Sequence, residues 1–303
     1  MTIGIPNALL YHKYKDLWIN FFKELKINVL ISNKTTKRTL EEGIKYAQDE
    51  ACLSLKIYLG HVKELINKVN YILVPRIISI NPHEKACTNF ALLYDLINNT
   101  FNCKILNYNI DVDKKNYEID SFIEMGKTLG KSKRESKKAY LIAKEKEQEA
   151  LDKKLRTQLL ELKSPYPKIL IAAHPYNLYD ELIGIPIINF LKKNKITPIF
   201  SDIYNNIKTN YECSYISNSI YWTYNKELLA AITHYKNKID GIILISSFPC
   251  GPDSLSNEMI TNKINNIPIL SIIIDELNNS SGLITRLESF IDIINMKRGI
   301  TNG

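Results

Sequence analysis

The sequence contains little glycine and none of the glycine-rich motifs that bind nucleotide phosphates. Only 11 of its 303 residues are glycine, and no GxGxxG fingerprint occurs. The nearest approach to a phosphate loop is MGKTLGKS at Met125–Ser132, where methionine occupies the position that requires the first glycine. We interpret this segment as a surface turn that leads into a long helix.

Long hydrophobic runs and a secretory leader are missing as well. The longest apolar stretch, Ile267–Ile274, is far shorter than the ~20 residues of a membrane-spanning helix. The N-terminus lacks a cationic start followed by an apolar segment. We therefore expect a cytoplasmic protein without a membrane segment. Its five cysteines should stay unpaired in a reducing compartment, as core residues, metal ligands or redox groups.

Local metal-binding motifs are also absent from the sequence. The five histidines form no HExxH pattern, and no two cysteines form CxxC, so spacing alone indicates neither a zinc site nor a ferredoxin-type site. The net charge of +8 favours an anionic partner. Because no aromatic–basic interleaving or nucleic-acid motif accompanies this charge, we expect no nucleic-acid partner.

Short apolar runs alternate with helical patterns in both halves of the chain, which predicts an α/β fold with parallel sheets. Between them lies a Lys-, Glu- and Ala-rich stretch without proline, typical of a long polar helix. We predict an N-terminal α/β lobe at 1–112 with Cys52 and Cys87, a helical connector at 113–164, and a C-terminal α/β lobe at 165–303 with Cys250. The connector should pack one apolar stripe, formed by Tyr140, Ile142, Ala143, Leu151, Leu155 and Leu159.

Cys250 has the most informative context of the five cysteines. It follows a predicted buried strand, and Gly251 permits a close backbone approach. A helix should open after Pro252, with Asp253 or Ser254 as its cap. A helix N-terminus lowers the pKa of a thiol and suits an anionic iron–sulfur cluster. A catalytic thiol or a redox sensor is the alternative interpretation.

Two further cysteines lie where functional residues gather. Cys52 is expected at the start of a helix that reaches Ile66, and Cys87 lies in a polar loop after the third predicted strand. Cys103 and Cys213 have the contexts of ordinary residues.

A possible ligand pocket is indicated by the segment LIAAHPYNLYD in the second half of the chain. His174 comes directly after a predicted buried strand, with Tyr176 and Asn177 just beyond it. Ligands of open α/β sheets bind at the carboxyl ends of strands, so these three residues could line a substrate pocket. A loop histidine without a ligand is an equally good interpretation.

Four segments, GIPNALLYHKYKDLW, DEACLSLKIYLGHV, YILVPRI and SSFPCGPDS, resemble the activase-associated branch of the 2-hydroxyacyl-CoA dehydratase superfamily, which includes double-cubane cluster proteins. The resemblance implies two Rossmann-like lobes and an oxygen-sensitive [4Fe–4S] cluster, single or in a bridged double cubane. It also implies that Cys52, Cys87 and Cys250 are the ligands, with Gly251, Asp253 and Ser254 around them.

The same resemblance implies the partners and the reaction. An ATP-hydrolysing iron–sulfur activator would supply a low-potential electron. The chain would act on an acyl-CoA or another small molecule, as a radical dehydratase or a reductase, in a homodimer or paired with a related subunit. A non-catalytic electron-transfer component coupled to the activator is the alternative. No CoA-binding signature is identifiable in the sequence.

Overall fold

A computed structural model of the protein describes residues 1–277 and 280–299. The chain divides into two compact units. Unit 1 is Met1–Asp152 together with Tyr221–Thr223, and unit 2 is Lys153–Ile220 together with Tyr224–Gly303. The division falls within one long helix, and the predicted boundaries at 112/113 and 164/165 stay predictions.

Unit 1 is built on a four-stranded parallel sheet with strand order β2-β1-β3-β4. Its elements are β1 (Thr2–Ile5), α1 (Tyr11–Glu24), β2 (Asn28–Ile31), α2 (Lys37–Ile44), α3 (Leu53–Leu65), β3 (Tyr71–Ser79), α4 (Thr88–Thr100), β4 (Ile105–Asp111), α5 (Glu118–Thr128) and α6 (Lys133–Glu161), the last of which runs on into unit 2.

The core of unit 1 is rich in aromatic side chains. Phe21 of α1 meets Phe122 of α5 edge-on, with 4.6 Å between ring centroids. Trp18 of α1 meets Tyr108 of β4 edge-on at 5.3 Å. All four side chains are buried. Edge-to-face packing of this kind stabilises a core beyond the burial of apolar area alone.

Helices α2 and α3 cross at two glycines. A methyl group added at Gly43 would lie 1.8 Å from the carbonyl oxygen of Lys56, and one added at Gly60 would lie 1.9 Å from that of Thr39. Only residues without a side chain allow the two backbones to approach this closely. The crossing places the start of α3 within unit 1.

A short segment from far along the chain completes unit 1. The backbone N–H of Lys85 donates to the carbonyl of Tyr221 at 2.9 Å, and the N–H of Thr223 donates to the carbonyl of Lys85 at 3.0 Å. Lys85 and Trp222 thus form a parallel β-bridge. Both hydrogen bonds fix the backbone two residues before Cys87.

Unit 2 repeats the sheet topology of unit 1, with strand order β6-β5-β7-β8 and all strands parallel. Its elements are β5 (Lys168–Ala172), α7 (Pro175–Leu178), α8 (Gly184–Lys193), β6 (Thr197–Phe200), α9 (Thr209–Ser214), α10 (Thr223–Tyr235), β7 (Gly241–Ser247), α11 (Gly251–Lys263), β8 (Ile269–Ile274) and α12 (Ser280–Lys297). Every residue of β7 is buried, as expected for an inner strand covered on both faces.

The last turns of α6 cover the outer edge of this second sheet through one buried amide. The Gln158 side chain accepts from the N–H of Phe200 at 2.8 Å and donates to its carbonyl at 2.9 Å. It also donates to the carbonyl of Ile203 at 2.8 Å and to the hydroxyl of Tyr235 at 3.0 Å. These bonds give the N–H of Phe200 an acceptor and add donors to two carbonyls at the end of edge strand β6.

The predicted α/β class with two parallel sheets is confirmed. Strand β3 contains a proline, Pro75, and continues beyond it to Ser79. Because β1 pairs only with Tyr71 and Ile72, Pro75 lies beyond that pairing and need not donate to β1. In the described ranges, no helix has both the length and the low charge needed to cross a bilayer.

Candidate functional site

All three predicted cluster ligands are N-caps of helices. Cys52 precedes α3, Cys87 precedes α4 and Cys250 precedes α11, and no cap accepts a side-chain hydrogen bond from its own helix. Each cysteine is partly exposed and free of a disulfide. Each thiol therefore lies beside the first-turn N–H groups and the positive end of a helix, which favour the thiolate.

Cys87 and Cys250 occupy equivalent positions in the two units. Each follows the third strand of its sheet, β3 or β7, and each caps the helix that comes next. In both sheets the first and third strands are neighbours at the point where the strand order reverses. Open α/β sheets bind ligands at this point, beyond the carboxyl ends of the strands.

Cys52 and the start of α4 meet within unit 1. The Asn89 side-chain amide, in the first turn of α4, donates to Cys52 Sγ at 3.6 Å. Asn89 lies two residues after Cys87, so one short segment positions both predicted ligands of this unit. Sequence patterns did not identify Asn89, because a single asparagine in a polar loop has no distinctive spacing.

The other two cysteines have different surroundings. Cys213 lies inside α9, is buried, and donates to the carbonyl of Ser217 at 3.5 Å. Cys103 lies before β4, and burial raises the pKa of its thiol above the ordinary value. Neither caps a helix.

A buried polar network surrounds the start of α11 in unit 2. His174 Nε2 lies 2.7 Å from Asp253 Oδ1, and the Asn225 amide donates to the same oxygen at 3.0 Å. The Cys250 thiol also hydrogen-bonds to Asp253. Asn225 donates a second hydrogen bond to Ser256 Oγ at 3.0 Å. All of these residues except Cys250 are at least nine-tenths buried.

This network keeps the Asp253 carboxyl ionised. Burial alone would raise its pKa, but attraction from His174 and hydrogen bonds from His174, Asn225 and Cys250 outweigh burial and hold the pKa below its ordinary value. An ionised acceptor orients the Cys250 thiol and the His174 ring. The contact between Asp253 and His174 was not predicted, because the two residues lie 79 positions apart in the chain.

The cap of α11 is Cys250 itself, so the prediction of Asp253 or Ser254 as cap is wrong. The helix begins one residue earlier than Pro252, at Gly251, where an added methyl group would meet nothing within 4 Å. Ser254 Oγ donates to the Cys250 carbonyl at 2.8 Å. Asp253 and Ser254 thus both contact Cys250, as expected for residues that support it.

His174, Tyr176 and Asn177 lie together after β5. The His174 and Tyr176 rings stack with centroids 5.2 Å apart. Asn177 is buried and accepts from Ser247 Oγ, on the neighbouring strand β7, at 2.7 Å. The structure brings the three residues together at the carboxyl ends of β5 and β7. Their role in a substrate pocket stays a prediction.

A second buried histidine lies in unit 1. His61 is fully buried, and its ring nitrogens lie 2.9 Å from Ser32 Oγ and 3.0 Å from Thr35 Oγ1. Burial lowers its pKa to about 4, so the ring is neutral at physiological pH.

The environments of the three thiols support iron–sulfur ligation, but the arrangement of potential metal ligands does not add to that support. Across residues 1–277 and 280–299, no three or more His, Cys, Asp or Glu side chains form a group that could hold a metal ion. Each of the three cysteines, Cys52, Cys87 and Cys250, is by itself a suitable ligand for an iron–sulfur cluster. Their joint role as ligands stays a prediction.

The fold and these sites define a protein of two α/β units, each with a parallel sheet. In each unit, a helix capped by a cysteine follows the third strand of the sheet. The chain belongs to the family described as the CoA enzyme activase uncharacterised domain (DUF2229), whose model matches residues 2–204. This match supports the activase-associated part of the resemblance in the sequence. No curated protein matches the chain.

Two solved structures with similarity to the chain are of the SBP FpvC from Pseudomonas aeruginosa. The complex with Mn²⁺ is 11% identical, with 97% of each chain covered and a TM-score of 0.31. The complex with Ni²⁺ is 10% identical, with 100% of this chain and 98% of the other covered and a TM-score of 0.29. Scores this low do not establish a shared fold.

Proposed function

We propose that this chain binds a [4Fe–4S] cluster through Cys52, Cys87 and Cys250 and receives electrons from an ATP-hydrolysing activator protein. The observation that carries the proposal is that these three cysteines, and neither Cys103 nor Cys213, cap helices. Helix N-termini stabilise thiolates and donate N–H groups to the sulfurs of an anionic cluster.

Family membership supports the activator as partner, since the family description names a CoA enzyme activase. The finer proposal is a radical dehydratase or reductase of an acyl-CoA or another small molecule, in a homodimer or with a related subunit. With three protein thiolates, a cluster would supply electrons and one iron able to bind a substrate oxygen. In a bridged double cubane, the three cysteines would hold one cubane and leave its fourth iron for the bridging sulfide.

The residues around the thiols have defined tasks in this proposal. The Asp253 carboxylate holds the His174 ring in a fixed orientation. It also accepts from the Cys250 thiol, a hydrogen bond that Cys250 would give up when it binds iron as a thiolate. The Asn89 amide donates to Cys52 and so stabilises negative charge on its sulfur. Neighbouring polar groups of this kind orient metal ligands and tune their basicity.

A non-catalytic electron-transfer component is the second candidate. His174 and Asn177 are buried and hydrogen-bonded to other protein groups, which favours a structural role over substrate contact. Reduction by the activator without turnover of any thioester would support this candidate over the dehydratase.

The test is iron and sulfide analysis with electron paramagnetic resonance on anaerobically purified protein. We expect about four irons per chain in the wild type, since a [4Fe–4S] cluster contains four. Cys52→Ala, Cys87→Ala and Cys250→Ala should each lose most of the iron and the resonance. Cys103→Ala and Cys213→Ala are the matched controls and should keep both.

Retention of iron and of an unchanged resonance in Cys250→Ala would refute the proposed ligand set. Loss of iron only in the Cys103 or Cys213 variant would reverse the assignment. If the cluster depends on the three cysteines but an activator with ATP does not reduce it, the activator part of the proposal is wrong.

A further inference from the structure

A cavity of about 610 Å³ lies in unit 2, beside β6 and the last turns of α6. This volume is within the range of sites that bind small molecules. None of the cysteines, and none of the residues around them, lines the cavity. It is therefore a feature separate from the proposed cluster site.

The floor of the cavity is largely apolar and consists mostly of buried side chains. Ile196, Pro198 and Ile203 line it and are buried, and Phe200 lies beside them half-buried. Gln158 also lines the cavity, but its amide is engaged by β6 and Tyr235, so it serves as structure. An apolar floor of this kind accepts an aliphatic chain or a flat ring.

Positive charge surrounds this floor. Lys153 and Lys154 come from α6, and Lys192 and Lys195 come from the end of α8 and the turn after it. Among the described residues that line the cavity, Glu161 is the one carboxylate. Four cations against one anion create a positive potential, which an anionic ligand would neutralise.

Backbone conformation at the rim is not evidence for a ligand. Lys195 has a left-handed backbone with φ of 56°, but Lys26 has the same φ at the corresponding turn before β2 in unit 1. The conformation thus belongs to the helix-to-strand turn of this fold. The inference depends on the cavity volume, the buried floor and the charge of the rim.

We propose that this cavity binds a small organic anion in which an apolar body carries a phosphate or carboxylate group. The body would lie on Ile196, Pro198 and Phe200, and the lysine ammonium groups would bind the anionic group. A nucleoside monophosphate and a fatty acid share this chemistry, and the experiment distinguishes them.

The experiment is isothermal titration calorimetry on the full chain with four probes. Adenosine 5′-monophosphate and octanoate combine a body with an anion, whereas inorganic phosphate and adenosine each supply one part. We expect at least one of the first two to bind about tenfold more tightly than the phosphate and adenosine probes, a difference of about 1.4 kcal/mol. Its affinity should fall as salt is added, because the rim lysines are exposed.

Variants test the position of the site. Lys192→Ala combined with Lys195→Ala should weaken binding about tenfold. Lys163→Ala combined with Lys193→Ala removes the same charge from nearby residues that do not line the cavity, and should change the affinity less than twofold. Thr157→Trp keeps every lysine, fills part of the cavity from an exposed helix position, and should abolish binding.

Three results would overturn the proposal. One is the absence of binding by either amphiphilic anion at millimolar concentration. Another is equal weakening by the two lysine pairs, which would indicate a general charge effect. The third is inorganic phosphate binding as tightly as the amphiphilic anions, which would exclude a role for the apolar floor. Iron content is measured separately, so failure here leaves the cluster proposal unaffected.

Discussion

Replacing Gln158 with leucine tests how much its hydrogen bonds to the end of edge strand β6 stabilise unit 2. The substitution keeps the approximate volume and removes the amide that bonds to Phe200, Ile203 and Tyr235. The Ile203 carbonyl keeps a partner, since the Tyr235 hydroxyl donates to it at 2.6 Å. The N–H and the carbonyl of Phe200 lose the bonds that Gln158 supplies.

The expected loss of stability follows from the N–H, because the Phe200 carbonyl still accepts from the N–H of Ile203 at 3.4 Å. A buried polar group without a partner costs about 1–3 kcal/mol. Phe200 is half-buried and lines the cavity, so water can reach it and reduce this cost. We therefore expect Gln158→Leu to lower the free energy of unfolding of unit 2 by about 1–2 kcal/mol.

The assay must report on unit 2, and tryptophan fluorescence does not. The chain has two tryptophans, Trp18 and Trp222, and both belong to unit 1. Hydrogen exchange followed by mass spectrometry on peptides that contain β6 reports on the edge directly, and urea unfolding followed by circular dichroism gives the free energy. Exchange at Phe200 should accelerate, because its N–H loses the Gln158 acceptor.

Gln148→Leu is the matched control. It lies on the same helix, is exposed, and donates one side-chain hydrogen bond, to Asp152. Its effect should stay within about 0.5 kcal/mol. The reasoning is refuted if Gln158→Leu is as mild as this control and leaves exchange in β6 unchanged.

Two further predictions concern unit 1. Acidification from pH 6.5 to about 4 should destabilise it by roughly 2–3 kcal/mol more in the wild type than in His61→Gln, as measured by urea unfolding with Trp18 fluorescence. The sign follows because the unfolded chain protonates His61 below about 6.5, whereas the folded chain resists protonation until about 4. Equal slopes in the wild type and in His61→Gln would contradict the argument. Gly60→Ala should cost more than about 3 kcal/mol in the same assay, because its methyl group would lie 1.9 Å from a backbone oxygen of α2. In unit 2, Gly282→Ala meets nothing within 4 Å and should be neutral or slightly stabilising by circular dichroism; a similar loss at both glycines would show that helix crowding is not the cause.

Residue order predicted the parallel sheets and the start of α3 at Cys52 well, because these depend on local patterns. The strand before Cys250 is a continuous apolar run, and the start of α3 at Leu53 follows from the helical pattern that reaches Ile66. Hydrophobic patterns of this kind are visible within about ten to twenty residues, and the folded chain forms the helices and strands that they predict.

The polar contacts were not predictable in the same way. The apolar stripe expected on α6 included Leu159, which is 55% exposed, whereas its polar neighbour Gln158 is buried. A glutamine on a charged helix gives no pattern that identifies its partners on β6. Asn225 likewise reaches Asp253 from another helix, and only the fold brings them together.

Unit 1 cannot be complete until much of unit 2 has been synthesised. The backbone partners of Lys85 are Tyr221 and Thr223, which a ribosome adds only after β5 and β6. During translation, the loop that leads to Cys87 therefore forms these two hydrogen bonds only after residues 221–223 have been added. A fragment ending at residue 152 would lack that partner permanently, so expressing the first unit alone should remove both backbone hydrogen bonds of Lys85.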